Sequence, residues 1–112
     1  VAYQTYDLFE AMRHDGLRPK LVKVDGGMVM NNWFAQFLAD MINVNVLRPR
    51  VHETTALGAA FMAGLKIGIY KSLKDISKRW SLDRKFSPKV KNNFRKKSIK
   101  GWNIAVKRTL IN

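Results

Sequence analysis

A paired glycine set between a β-branched run and an amphipathic segment constrains this chain more than any other feature. The stretch VKVDGGMVMNNWFAQFLADMINVNVLRPR runs from Val22 to Arg50. LVKV, Leu21 to Val24, reads as a short buried strand, and the turn falls at Asp25 to Gly27. Trp33, Phe34, Phe37, Leu38 and Met41 then mark one face of a helix beginning near Asn31 or Asn32, either of which can cap it through its side-chain oxygen. VNVL, Val44 to Leu47, is a second strand, closed by Pro49. From Thr54 or Thr55 a third helix passes through ALGAAFMAGLKIG, where Gly58, Ala59, Ala60, Ala63 and Gly64 permit close approach to a neighbour. Strand, turn, helix, strand, helix is a βαβα unit, so the predicted class is α/β with a parallel sheet. Ahead of it, Val1, Leu8, Phe9 and Met12 recur at helical spacing, and DGLRPK supplies the connection. The sequence opens on this helix without an initiator Met, and the expectation is a fragment of something longer.

A strand that ends in Gly26-Gly27 and turns into a helix leaves backbone N–H groups exposed, and no Cβ keeps a ligand off the main chain. Open α/β sheets bind ligands beyond the carboxyl ends of their strands, where this turn sits, so the arrangement suits a nucleotide. Asn31, four residues after Gly27, offers an amide that can donate to and accept from a purine or ribose. The alternative is structural: the glycines only make a tight turn and Asn31 only caps the helix. Spacing alone favours the structural reading, because the pattern is neither G-x-G-x-x-G nor a Walker motif.

Composition removes several classes of chemistry. With no cysteine among 112 residues there is no disulfide framework, thiolate metal site or cysteine nucleophile. The longest apolar run, Ala56 to Leu65, stops at Lys66, short of the roughly 20 residues that a membrane-spanning helix needs. No secretory address is legible at the N-terminus, and a cytoplasmic location is expected. The formal charge of +13 is unevenly distributed. Residues 1–65 carry six Lys and Arg against six Asp and Glu, whereas residues 66–112 carry fifteen against two. Residues 66–112 are therefore expected to form a strongly basic helical tail of the same domain. SLKDISKRW reads as a short helix, and Pro88 opens a long one in which Val90, Phe94, Trp102, Val106 and Leu110 repeat every four residues, with Ser98 in the remaining place. That apolar side is expected to be core, leaving Lys89, Lys91, Arg95, Lys96, Lys97 and Lys100 in solvent or facing a partner.

The wording of these segments carries a resemblance. VDGGMVMNNWFAQFLADMINVNVLRP, then VHETTALGAAFMAGLKIGIY and GWNIAVKR, together with VAYQT at the start, resemble the C-terminal end of glycerol kinases, in the FGGY family of carbohydrate kinases. The likeness covers nearly the whole chain and implies part of a C-terminal actin-like, ribonuclease H-like ATPase domain. It supplies about the last quarter of such an enzyme. The family's activity is transfer of phosphate from ATP, with Mg2+, to the terminal hydroxyl of glycerol. Its nucleotide contacts near the C-terminus fall on the second glycine and first asparagine of GGxxxNN, here Gly27 and Asn31, with Gly26 keeping the adenosine site open. Asp25 belongs to the motif without an assigned role. The lysine excess in the last helix departs from the family, whose counterpart is more mixed in charge.

No catalytic residue is expected within the chain. In this family the proton of the glycerol hydroxyl goes to a carboxylate in the N-terminal three-quarters, which also holds the phosphate-binding loop, the glycerol site and the Mg2+ ligands. Asp40 and Glu53 are expected to be ordinary solvated acids. His52-Glu53 does not continue to H-E-x-x-H, and His14 lacks a companion at ligand spacing, so no metal is assigned. The expected partners are ATP or ADP and the missing N-terminal kinase portion, on the same or a separate chain, with glycerol bound only by the complete enzyme. A second reading is a cationic module for nucleic acid or an anionic surface, using Lys66 to Arg108, but no RNA-binding signature accompanies the charge. A third is a remnant without function.

Overall fold

The structure is a computed structural model and describes residues 1–111. Five helices and three strands follow one another as α1 (Ala2–His14), β1 (Leu21–Lys23), α2 (Asn32–Ile42), β2 (Asn45–Pro49), α3 (Thr54–Lys66), α4 (Leu73–Ser77), β3 (Leu82–Phe86) and α5 (Asn92–Leu110), with a 3-10 turn at Gly27–Met30 between β1 and α2. β1 and β2 pair in parallel, with Val22 opposite Val46, as a strand–helix–strand crossover requires. β3 adds to the other side of β2 in the antiparallel sense, with Val46 opposite Phe86, so the strand order is β1-β2-β3.

α2 lies between α1 and the sheet and makes the core. Ala35 and Ala39, one turn apart, are completely buried, and Ile42 follows on the same face. They meet Ala2 and Phe9 of α1 and the inward residues Val44, Val46 and Phe86 around the sheet, with Tyr6, Phe34 and Phe37 packed at the margin. The helix ends where Asn43 takes the left-handed conformation, φ 55°, a role for which asparagine is among the tolerated residues. Asp40, expected in solvent, is instead buried in this helix. Its Oδ1 accepts from Gln36 Nε2 at 3.0 Å and from the Lys89 backbone N–H at 2.7 Å, so it fastens the approach to α5 onto α2.

The second half departs from an all-helical tail. WSLDRKF contains β3, whose four outer residues are exposed, so its only apolar signal toward the core is Phe86. α5 starts at Asn92 rather than Pro88, and Ile99 is its buried residue. Trp102, Val106 and Ser98 turn inward as expected, whereas Phe94 and Leu110 are exposed and Arg95 faces in, donating to the Asp40 carbonyl. A strict repeat of four drifts around a helix of 3.6 residues per turn, which is why the two ends of the expected stripe leave the core. Trp102 joins α5 to α1: its Nε1 donates to Asp7 at 2.7 Å and its ring stacks on Tyr3 at 5.6 Å.

α3 stands largely apart from this core, and Gly64 is its buried residue. There the expected close approach is made within the chain, since a Cβ on Gly64 would lie 2.6 Å from the folded-back ring of Tyr70. Gly58 meets nothing within 4 Å in this way, and Ala59, Ala60 and Ala63 are exposed.

Candidate functional site

The glycine pair sits at the carboxyl end of β1, and three backbone contacts fix the level at which the chain leaves the sheet. Val24 N–H donates to the Leu47 carbonyl at 3.0 Å and Gly26 N–H to the His52 carbonyl at 3.2 Å, tying the turn to β2 and to the loop entering α3. Gly26 has φ 91° and ψ 172°, a region that only glycine occupies without strain. Gly27 differs, since its backbone lies outside the left-handed region and a Cβ there would meet nothing within 4 Å. No atom of the described chain requires glycine at position 27. Asp25 accepts a hydrogen bond from the Thr54 hydroxyl, which ties the turn to the first residue of α3.

The segment after the glycines is held from below by Arg48, which the sequence reading passed over. Its side chain is buried, and it reaches from β2 under the 3-10 turn. Nη1 donates to the Val29 carbonyl at 2.9 Å, the Met30 carbonyl at 3.2 Å and Asn32 Oδ1 at 2.9 Å. Nε donates to Asp83 of β3 at 2.8 Å, and the guanidinium lies 5.2 Å from the centre of the Phe86 ring. The planar fork of donors thus satisfies two main-chain carbonyls of a turn that has no partners for them in regular structure, while its charge is balanced by one carboxylate. Its signal in the sequence is alternation: Val46 and Arg48 occupy one face of β2, in step with the buried Val44 just before the strand, so an arginine at that place must be buried and paired.

Asn31 closes the segment. It is the N-cap of α2, and its Oδ1 accepts from the Phe34 N–H at 3.0 Å. Capping and ligand contact are therefore compatible, because the oxygen is engaged with the helix while the amide NH2 remains a donor on an exposed residue. Gly26, Gly27 and Asn31 are thus carried by one turn, with Gly27 and Asn31 exposed. Among the described residues no three of His, Cys, Asp and Glu converge to hold a metal ion.

The comparisons with known proteins bear on this geometry. The C-terminal domain model of the FGGY family of carbohydrate kinases matches residues 1–67. Glycerol kinase of Gluconobacter oxydans is 53% identical over 111 residues, and glycerol kinase 1 of Pseudomonas aeruginosa is 54% identical over 108. These alignments cover 98% and 96% of this chain but 22% of each relative, so the chain spans about a fifth of the length of the curated relatives it matches. Among solved structures, Plasmodium falciparum glycerol kinase with ADP is 37% identical, superposes with a TM-score of 0.80, and is matched over 99% of this chain and 22% of its own. A xylulose kinase from Lactobacillus acidophilus, 20% identical with a TM-score of 0.68 over 89% of this chain and 20% of its own, shares the fold. The glycine turn on a parallel strand pair, the helix it opens and the matched family model together place this chain in the FGGY family of carbohydrate kinases, within its C-terminal domain.

Proposed function

We propose that this chain is the C-terminal part of a glycerol kinase and supplies part of its adenine-nucleotide site, for ATP-dependent phosphorylation of glycerol to glycerol 3-phosphate. The observation that carries the reading is the open backbone at Gly27: nothing of the described chain lies within 4 Å of where a Cβ would stand, so a ligand can lie against the main chain there. Gly26 sets the direction of the turn, Gly27 admits the nucleotide to the main chain, and the free amide of Asn31 donates to its purine or ribose. Arg48 holds the turn in place and touches no substrate. That relatives about half identical are glycerol kinases, and that the Plasmodium falciparum enzyme was solved with ADP, supports the nucleotide class.

In this reading the chemistry of the phosphoryl group lies outside the chain. Phosphoryl transfer works by positioning and charge stabilisation, with a carboxylate accepting the proton of the attacking hydroxyl. In this reading the Mg2+ that accompanies ATP is held with the phosphates by the remaining kinase portion. What these residues do is orient one end of the nucleotide. The remaining kinase portion, on the same or another chain, is the partner, in the cytoplasm. Met28, Val51, Met62, Ile67 and Ile69 are each about half exposed or more, apolar side chains of the kind that pack against such a portion. No helix among the described residues is long and apolar enough to cross a membrane.

Amide NMR of the chain with and without MgADP tests the reading. Shifts confined to Gly26–Asn31, lost in Asn31→Ala and in Gly27→Val, are expected, with no glycerol-dependent ATP turnover by the chain alone. A spectrum of a folded chain that ignores MgADP at millimolar concentration overturns the nucleotide assignment, and turnover above blank overturns the division of labour.

A further inference from the structure

A cavity of about 580 Å³ opens between α1 and α5 at the carboxyl end of α2, and it shares no lining residue with the glycine turn. Its cations are Arg13 of α1 and Arg95, Lys96, Lys100 and Lys107 of α5, against one acid, Glu10. The two arginines are fixed by the fold. Arg13 pairs with Glu10 and donates to the Ile42 carbonyl at 2.7 Å, while Arg95 donates to the Asp40 carbonyl. They cover the carbonyl end of α2, whose partial negative charge would otherwise repel an anion. The three lysines have no carboxylate within ion-pair distance among the described residues. Its apolar lining includes Ile99, which is buried, and Ile104, which is exposed, over the buried Met41. A volume of this size, lined by apolar side chains and a few charged groups, is that of a site for a small molecule.

The lysines also belong to the feature that the proposed kinase role leaves unused. The glycine turn draws nothing from the cationic excess of residues 66–112, yet four of the five cavity cations come from there. We propose that this cavity binds a small organic phosphate, its apolar part on Ile99 and Ile104 and its phosphate held by Lys96 and Lys100, one turn apart on α5. A phosphate dianion matches two neighbouring ammonium groups better than a single carboxylate does, and the arginines behind them keep the helix end from opposing it.

The test is amide NMR titration of the full 112-residue chain with phenyl phosphate, inorganic phosphate and phenol in turn. The expected result is saturable shifting by phenyl phosphate, centred on Asn43, Lys96, Ile99 and Lys100, with inorganic phosphate and phenol each at least about tenfold weaker. Lys96→Glu with Lys100→Glu should weaken phenyl phosphate by about tenfold or more, whereas Lys78→Glu with Lys85→Glu, equal in charge but outside the cavity, should leave it unchanged. All four lysines are exposed, so both variants keep the fold, and unchanged dispersion of the spectra checks it. Shifts spread over lysines generally, equal binding of inorganic phosphate, or equal weakening by the two double variants would each overturn the proposal in favour of diffuse ion binding.

Discussion

In residues 1–65 the charges cancel and the buried positions follow helical and strand periods, from Ala2 and Phe9 through Ala35, Leu38, Ala39 and Ile42 to Val44 and Val46. In residues 66–111 cations dominate, and Phe86 and Ile99 are the buried residues described. The two regions nevertheless share one sheet, because β3 pairs along β2 and places Phe86 opposite Val46. A boundary in charge is therefore not a boundary between domains. The basic half is fastened to the neutral half by a few anchors: Phe86 in the core, Asp83 on Arg48, Arg95 and the Lys89 backbone on Asp40, and Trp102 on Asp7. Between the anchors its lysines stay hydrated, which lets one segment be both a structural clasp and a strongly cationic surface.

The sharpest way to break that comparison is Phe86→Ala. The ring is 2% exposed, and deleting a buried phenylalanine costs about 3–5 kcal/mol, a large share of the stability of any small domain. If the second half is a clasp on the same core, the loss appears as a lower denaturation midpoint for α1 and α2 as well as for β3. Phe94→Ala serves as the control, since Phe94 is 53% exposed and its removal should change stability by less than about 1 kcal/mol. A variant in which only the second half melts, with the α1 and α2 amides unmoved, would show two separable units instead.

Arg48 joins the two regions at the site itself, and Arg48→Met is the next largest effect. It leaves the Val29 and Met30 carbonyls and Asn32 without their donor and strands Asp83, for an expected loss of about 3 kcal/mol. Arg48→Lys should recover little, because one ammonium cannot reproduce a fork that reaches four acceptors. Hydrogen exchange reads the consequence: faster exchange in Met28–Asn32 than in α2 is the expected pattern. Uniform protection across both would mean that the turn holds itself.

How much of this was legible in the sequence depends on period and on partner. The elements of the βαβα unit were legible because Leu21–Val24, Trp33–Met41 and Val44–Leu47 are apolar segments of strand or helix length and Asn31 precedes its helix as a cap should. Their faces were not, since Leu21 and Trp33 are exposed and the core face of α2 runs through Ala35, Ala39 and Ile42. β3 was not, because an edge strand with four exposed residues and one buried phenylalanine has no alternation to detect. Asp40 and Arg48 were misread or missed because a buried charge is announced only by its partners, Lys89 and Asp83, which lie far along the chain. On the glycine turn, the positions of Gly26, Gly27 and Asn31 followed from the motif, whereas the difference between Gly26, held at positive φ, and Gly27, which nothing in the described chain crowds, needed coordinates.

The smallest expected effect concerns the seam between the two regions, where Tyr6 of the neutral half faces the cationic cavity rim. Burial raises the Tyr6 phenol above its ordinary value, the nearby Glu10 carboxylate raises it further, Arg13 opposes the shift, and Asp7 adds to it. A group whose folded pKa lies above its unfolded value contributes stability that is complete below the unfolded value, about 10, and is lost as pH rises through the folded one. Tyr6 should therefore keep its proton in the folded chain while the unfolded chain gives it up, and stability should fall above pH about 10. The useful quantity is the difference between the parent chain and Tyr6→Phe, because it isolates the contribution of this one phenol. Urea midpoints measured from pH 9 to 11 should decline less steeply in Tyr6→Phe, because its ring cannot ionise in either state. Parallel declines would mean that burial of the Tyr6 phenol contributes nothing measurable to the seam between the two regions.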